Sequence, residues 1–151
     1  MNLPPYDDIH IRETQDGKLE VLDILRHRFV SLTPEEWVRQ HFVHYLISEK
    51  GYPAALMANE VELRVGGKRL RVDTILFDSN RCPLMAIEYK AESVALTKKV
   101  VTQVTTYNML LRVHYLIISN GTRHVCLRYD AAKNLWQALA EIPHYDEVKS
   151  N

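Results

Sequence analysis

The stretch Arg69-Leu70-Arg71-Val72-Asp73-Thr74-Ile75-Leu76-Phe77, the turn Asp78-Ser79-Asn80-Arg81 and the following Leu84-Met85-Ala86-Ile87-Glu88-Tyr89-Lys90-Ala91 decide how this chain folds. Both apolar segments are bounded by turn residues, which predicts two strands joined as a hairpin. Working back, Gly66-Gly67-Lys68 connects them to an earlier strand, Leu56 to Val65, and the three form an antiparallel meander. Working forward, Thr97 to Leu111 predicts a helix with the apolar stripe Val100, Val104, Tyr107 and Leu111. The strand Val113 to Ser119 follows, and its unbroken run from Tyr115 to Ile118 suits a strand covered on both faces. It stops at Asn120-Gly121, and Arg123 to Tyr129 and Leu135 to Leu139 add edge strands.

Ahead of the meander, Leu32-Thr33-Pro34-Glu35-Glu36 marks a helix start, with Thr33 as cap and Pro34 at the first helical position. Val38, Phe42, Tyr45 and Leu46 recur at helical spacing, and Gly51 is a natural stop. On a helical wheel Glu35 falls inside the apolar arc and Arg39 at its edge, with Gln40 and His44 opposite and His41 on the flank. A carboxylate on a buried side is unusual and marks Glu35 for attention, although Glu35 can equally be read as a first-turn acid complementing the helix dipole, as Glu36 is. His41 and His44 are expected to be a solvated pair. Residues up to Gly17 read as loop and turn, and Lys18 to Leu25 with Phe29-Val30 as an N-terminal strand or hairpin. The order helix, three strands, helix, strand predicts an α/β fold, a mixed sheet with helices on its faces.

Composition agrees with one globular domain: 151 residues, 46% hydrophobic and 25% charged. No apolar run approaches the ~20 residues of a membrane span. The start, with Asp7 and Asp8, lacks the basic and apolar regions of a secretory signal, so the expected compartment is the cytoplasm and no membrane partner is expected. Cys82 and Cys126 are too few for a disulfide scaffold and read as packed thiols. Nineteen basic and nineteen acidic side chains balance, which argues against strong nonspecific nucleic-acid affinity but leaves room for a local basic rim.

The chemistry-bearing residues sit in the meander. Side chains alternate along a strand, so Glu88 and Lys90 point the same way, their Cα atoms about 6.6 Å apart. A register that sets Asp73 across from them brings two carboxylates and one ammonium to one patch. Neighbouring carboxylates repel each other, and a divalent ion relieves that repulsion. Hard oxygen donors suit Mg2+ or Mn2+ and argue against zinc. The pattern points to phosphodiester hydrolysis, with Asp73 and Glu88 as metal ligands and Lys90 orienting or helping to deprotonate the attacking water, or offsetting charge at phosphorus.

These residues resemble the PD-(D/E)xK nucleases, in particular the domain at the N-terminus of type I restriction enzyme R subunits. Asp73 in Arg71-Val72-Asp73 looks like the motif aspartate, with Val72 in place of the family's frequent proline, and Glu88-Tyr89-Lys90 matches E-x-K. Glu35, with Glu36 as the alternative, looks like the acid of the family's first helix. Gln103 and Tyr107, four apart on one helix face, look like its Q-x-x-x-Y element. The resemblance covers roughly Leu32 to Gly121. It implies a restriction-endonuclease-like core (α-β-β-β-α-β) at about 32–121 within a single domain, an N-terminal extension at 1–31 and edge strands at 122–145. It also implies a metal-dependent nuclease acting on DNA, with Glu35, Gln103 and Tyr107 in support.

Arg69 and Arg71, with Arg64 and Lys68 around the hairpin, and Lys98 and Lys99 at the start of the second helix, are candidates for gripping phosphates. The alternative is that they keep exposed edges soluble. No Gly-rich phosphate loop is present, so translocation along DNA would fall to a separate motor or specificity subunit. A homodimer cutting both strands is a further arrangement, and a catalytically silent DNA- or protein-binding module of the same fold is the rival from another class.

Overall fold

The computed structural model describes residues 1–150. Its main body is a six-stranded sheet in the order β4-β5-β6-β7-β8-β9, built from Met57–Val65, Lys68–Phe77, Pro83–Tyr89, Tyr115–Ser119, His124–Asp130 and Leu135–Leu139. All neighbours are antiparallel except β6 and β7, which run parallel because helix α2 (Lys98–Asn108) carries the chain back between them. The sheet is thus mixed, with helix α1 (Pro34–Lys50) and α2 as its long helices, as the α/β reading requires.

Local chemistry accounts for these elements. The Thr33 hydroxyl accepts from the Glu36 backbone N–H at 3.0 Å and Pro34 opens α1. Gly51, at φ 72°, ends it in the left-handed conformation that glycine adopts without strain. Thr97 caps α2 in the same manner through the Val100 N–H, and a 3₁₀ turn at Met109–Leu111 completes the predicted span to Leu111. Phe42, Leu46, Met85, Ile87 and Ile117 join one buried cluster that includes α1 residues, and Ile75, Ala86, Val104, Leu116 and Ile118 another that includes α2 residues. Strand β7 is buried along its whole length, as its unbroken apolar run predicts. Among the described residues no helix is long and apolar enough to cross a membrane.

The N-terminal segment departs from expectation. Ile11–Glu13 is a strand, β1, and pairs with β2 (Leu19–Asp23), which pairs with β3 (Arg28–Ser31) in a separate antiparallel sheet. The loop expected up to Gly17 is therefore only partly loop. This small sheet leans on α1: the Ile24 N–H donates to Gln40 Oε1 at 3.4 Å, and Ile24 and Leu25 join the α1-side core. It explains why the helical wheel misjudged α1. Gln40, His41 and His44 are buried, His44 against Tyr6 and Asp8, because the N-terminal residues cover the face that the wheel assigned to solvent. Conversely Glu35 is exposed and Glu36 buried. Cys126 is packed as expected, but Cys82 lies exposed beside the β5–β6 turn. A last short helix, α3 (Tyr145–Val148), follows β9, and the Tyr52 hydroxyl donates to the Pro143 carbonyl beside it at 3.0 Å.

Candidate active site

Strand pairing sets the geometry. Thr74 pairs with Ile87, so one further step along β5 and β6 puts Asp73 across from Glu88 on the same face. That step breaks the ladder: the Tyr89 backbone N–H donates to Asp73 Oδ2 at 2.9 Å. Lys90 follows immediately after β6, its N–H donating to the Ser119 carbonyl at 2.9 Å. On the other side of β5, Glu60 of β4 stands between the pairs Asn59–Thr74 and Val61–Val72, hence opposite Asp73. Glu60 has φ 54°, a left-handed conformation that a non-glycine residue holds only when its surroundings fix it.

What fixes it is Arg39, which reaches from α1 into the gap. Its Nη1 donates to the Asp73 carbonyl at 2.8 Å, its Nη2 to Glu60 Oε1 at 2.6 Å and to Glu36 Oε1 at 3.0 Å, and its Nε to Glu36 Oε2 at 2.8 Å. Burial alone would lower the Arg39 pKa, but Glu36 and Glu60 outweigh it and raise it further above its ordinary value. Glu60 also accepts from Arg71 Nη2 at 2.9 Å, and these two arginines, against some burial, hold its carboxyl below the usual range.

Asp73, Glu88, Lys90 and Glu60 line two adjoining recesses. One of about 500 Å³ runs towards α2 and is also lined by Arg71, Gln103 and Tyr107; the other, about 340 Å³, runs towards the start of α1 and Glu35. The Glu88 carboxylate makes no hydrogen bond or ion pair among the described residues, and the Lys90 ammonium is in no ion pair there. Burial, then repulsion from Asp73, pushes the Glu88 carboxyl up to about 7 against the pull of Lys90. Burial also raises Asp73, against the Tyr89 N–H and Arg39. Two half-buried acids that destabilise each other's charge are a setting for a cation or a proton. A larger, more apolar groove of about 980 Å³ beside Met109, Leu110 and Trp136 contains no carboxylate.

Residues 34–143 match the family described as type I restriction enzyme R protein N terminus. The chain belongs to this family. A fragment structure ascribed to an HsdR subunit of a type I restriction enzyme from Vibrio vulnificus YJ016 is 21% identical, with a TM-score of 0.56 over 79% of this chain and 25% of that one. At that identity the likeness shows the fold alone, and the chain spans about a quarter of that structure's length. No curated protein matches the chain.

In this R-protein N-terminal domain the structure gathers Asp73, Glu88, Lys90, Gln103 and Tyr107 around one cleft, with Glu35 at its α1 end. Tyr107, expected in the apolar stripe of α2, does not join the core: it is 46% exposed, and its hydroxyl accepts from the Arg71 backbone N–H at 2.9 Å. Arg69 and Arg71 are exposed but spend their charge on Glu62 and Glu60. Lys98 and Lys99 are exposed at the start of α2, and Lys99 lies one turn before Gln103 on the same helix face.

The residues that sequence reasoning missed are Glu60 and the part played by Arg39; Glu36, weighed only as the alternative to Glu35, is the buried acid. Arg26, Arg39 and Gln40 all donate to Glu36. The spacings Glu36–Arg39 and Glu36–Gln40, three and four apart, were a usable signal; nothing in Met57 to Val65 singles out Glu60. Among the described residues no three His, Cys, Asp or Glu side chains stand ready to hold a metal together. Magnesium binds through one or two carboxylates and keeps several waters, so the donor pair Asp73 and Glu88 fits Mg2+ or Mn2+ without a third acid.

Proposed function

We propose that this chain is a divalent-metal-dependent nuclease domain that hydrolyses DNA phosphodiester bonds. The single observation that carries the reading is the meeting of Asp73, Glu88 and Lys90 in one cleft, with Glu88 unpaired. Asp73 and Glu88 would hold Mg2+ or Mn2+, which lowers the pKa of a bound water and offsets charge on a phosphate oxygen. Lys90 Nζ would orient the attacking water and balance negative charge as the water oxygen bonds to phosphorus and gives up its proton to solvent, while the bond to the leaving oxygen breaks and that oxygen takes a proton from solvent. Glu35 and Gln103, at the two ends of the cleft, support the site, and Lys98 and Lys99 guide the DNA backbone along α2. Membership of the R-protein N-terminal family supports a role in restriction, with DNA and a separate motor or specificity subunit as partners; a homodimer would serve double-strand cutting.

Purified Asp73→Ala should keep its fold by circular dichroism and lose at least about a hundredfold in magnesium-dependent cleavage of plasmid DNA. Cleavage at the parental rate by the folded variant would overturn the assignment. A second reading is a catalytically silent DNA- or protein-binding module of the same fold. Calorimetry separates the two: no heat with magnesium or manganese, together with salt-sensitive DNA binding, favours the silent module.

A further inference from the structure

Asp23, at the end of β2, lies outside the family-matched segment and is fully buried. Its carboxylate accepts from Asn59 Nδ2 on both oxygens, at 3.1 and 3.0 Å. Asn59 Oδ1 accepts from the Thr74 hydroxyl at 2.6 Å, and Thr74 Oγ1 accepts from the Tyr89 hydroxyl at 2.9 Å. Tyr89 in turn gives its backbone N–H to Asp73 Oδ2. A second route leaves Asp23 through Arg26, which also donates to Glu36 at 3.2 Å, and Glu36 holds Arg39, which donates to the Asp73 carbonyl. The two routes from one buried acid end on two different oxygens of Asp73.

We propose that Asp23 is a positioning residue for the cleft, its charge setting the direction of the hydrogen-bond chain Asn59–Thr74–Tyr89 that holds Asp73 opposite Glu88. An ionised carboxylate only accepts. It therefore turns the Asn59 amide nitrogen towards itself and the amide oxygen towards Thr74, which makes Thr74 donate to Asn59 and leaves the Thr74 oxygen to receive the Tyr89 proton. No other arrangement satisfies every member. The Asp23 carboxyl is kept below its ordinary range although burial opposes this, because the Arg26 backbone, Asn59 and the Arg26 guanidinium all donate to it. That Asp73, once placed, serves catalysis rests on the nuclease reading above; the chain itself does not.

The test is Asp23→Asn in the full chain, which keeps shape and lets the Asn59 amide turn over, beside Tyr89→Phe, which removes only the last hydroxyl. Asp23→Asn is expected to speed hydrogen exchange at the Tyr89 amide by about tenfold. It should also slow plasmid cleavage by about tenfold at saturating DNA, with the KM for DNA unchanged. The double variant should cleave no more slowly than the slower single one, because both cut one chain. Unchanged exchange at the Tyr89 amide, or independent and multiplying losses in the double variant, would overturn the proposal. If the parent shows no metal-dependent cleavage, the nuclease reading falls while amide exchange still decides the role of Asp23. Should Asp23→Asn not fold, Thr74→Val breaks the same chain one link on and is read by the same two measurements.

Discussion

Two adjoining clusters of the same residue types, which meet where Arg39 reaches the Asp73 carbonyl, stand in opposite conditions. On the α1 side, Asp23, Arg26, Glu36, Arg39 and Gln40 form one linked network, Asp23 through Arg26 to Glu36 and Glu36 to Arg39 and Gln40, beside the N-terminal sheet. In the cleft, Asp73 has one backbone N–H on its carboxylate, and Glu88 and Lys90 have no ion-pair partner among the described residues. The first cluster satisfies its charges internally and so serves to hold α1, β4 and β5 together. The second leaves carboxylate charge unpaired and half-buried, at an energetic cost to the folded state that a proton or a cation would relieve. Acidic and basic content alone does not distinguish the two clusters; the pairing does.

The largest expected effect comes from opening the closed cluster. Glu36→Ala leaves Arg39, a residue only 6% exposed, without its bidentate acid. Stripping one partner from a buried pair costs about 3–5 kcal/mol, and urea unfolding at neutral pH should show a loss of that size. A loss below about 1 kcal/mol, the worth of an exposed pair, would mean that the cluster is no more closed than the surface.

Next in size is the pH dependence of the open cluster, where the sign is opposite. Glu88 has a folded-state pKa of about 7, raised above its ordinary 4.5, so between those values the folded state binds more protons than the unfolded one. Stability measured with a chelator should therefore fall as pH rises through that window. Glu88→Gln should flatten this fall and should not destabilise the protein at pH 7. Asp23, with a lowered pKa, acts the other way: its contribution is present at neutral pH and is lost only on acidification below the ordinary aspartate range. Magnesium should raise the melting temperature of the parent near neutral pH and not that of Glu88→Gln.

Much of the open cluster was legible in the sequence and little of the closed one. Asp73 and Glu88 follow from period-2 strands and a turn at Asp78 to Arg81, all local signals. Thr33, Pro34 and Gly51 fixed the ends of α1 for the same reason. The closed cluster's ties to the rest of the fold span 16 to 36 residues, as in Ile24 with Gln40, Arg39 with Asp73 and Asn59 with Asp23, and only the three- and four-residue spacings around Glu36 are local. Glu60, which Arg39 of the closed cluster holds at the cleft, takes a left-handed conformation inside an otherwise regular strand with no glycine to announce it. The exchange of Glu35 for Glu36 as the buried acid has the same origin: once the N-terminal sheet covers a second side of α1, a wheel drawn for one apolar stripe points the wrong way.

The smallest effect tests the border between the clusters at Tyr107. Its hydroxyl is spent on the Arg71 backbone N–H, which ties α2 to β5 and forms one wall of the cleft. Tyr107→Phe removes one neutral hydrogen bond at a half-exposed site. Urea unfolding should register a loss of about 0.5–1.5 kcal/mol, towards the lower end because water replaces the lost oxygen. If Tyr107 shapes the wall and does not touch the reacting phosphate, the variant should need more DNA for half-maximal cleavage and reach the parental rate at saturation. A drop in the saturated rate as deep as that expected for Asp73→Ala would instead place Tyr107 among the groups that meet the substrate, and the open cluster would then extend across the cleft onto α2.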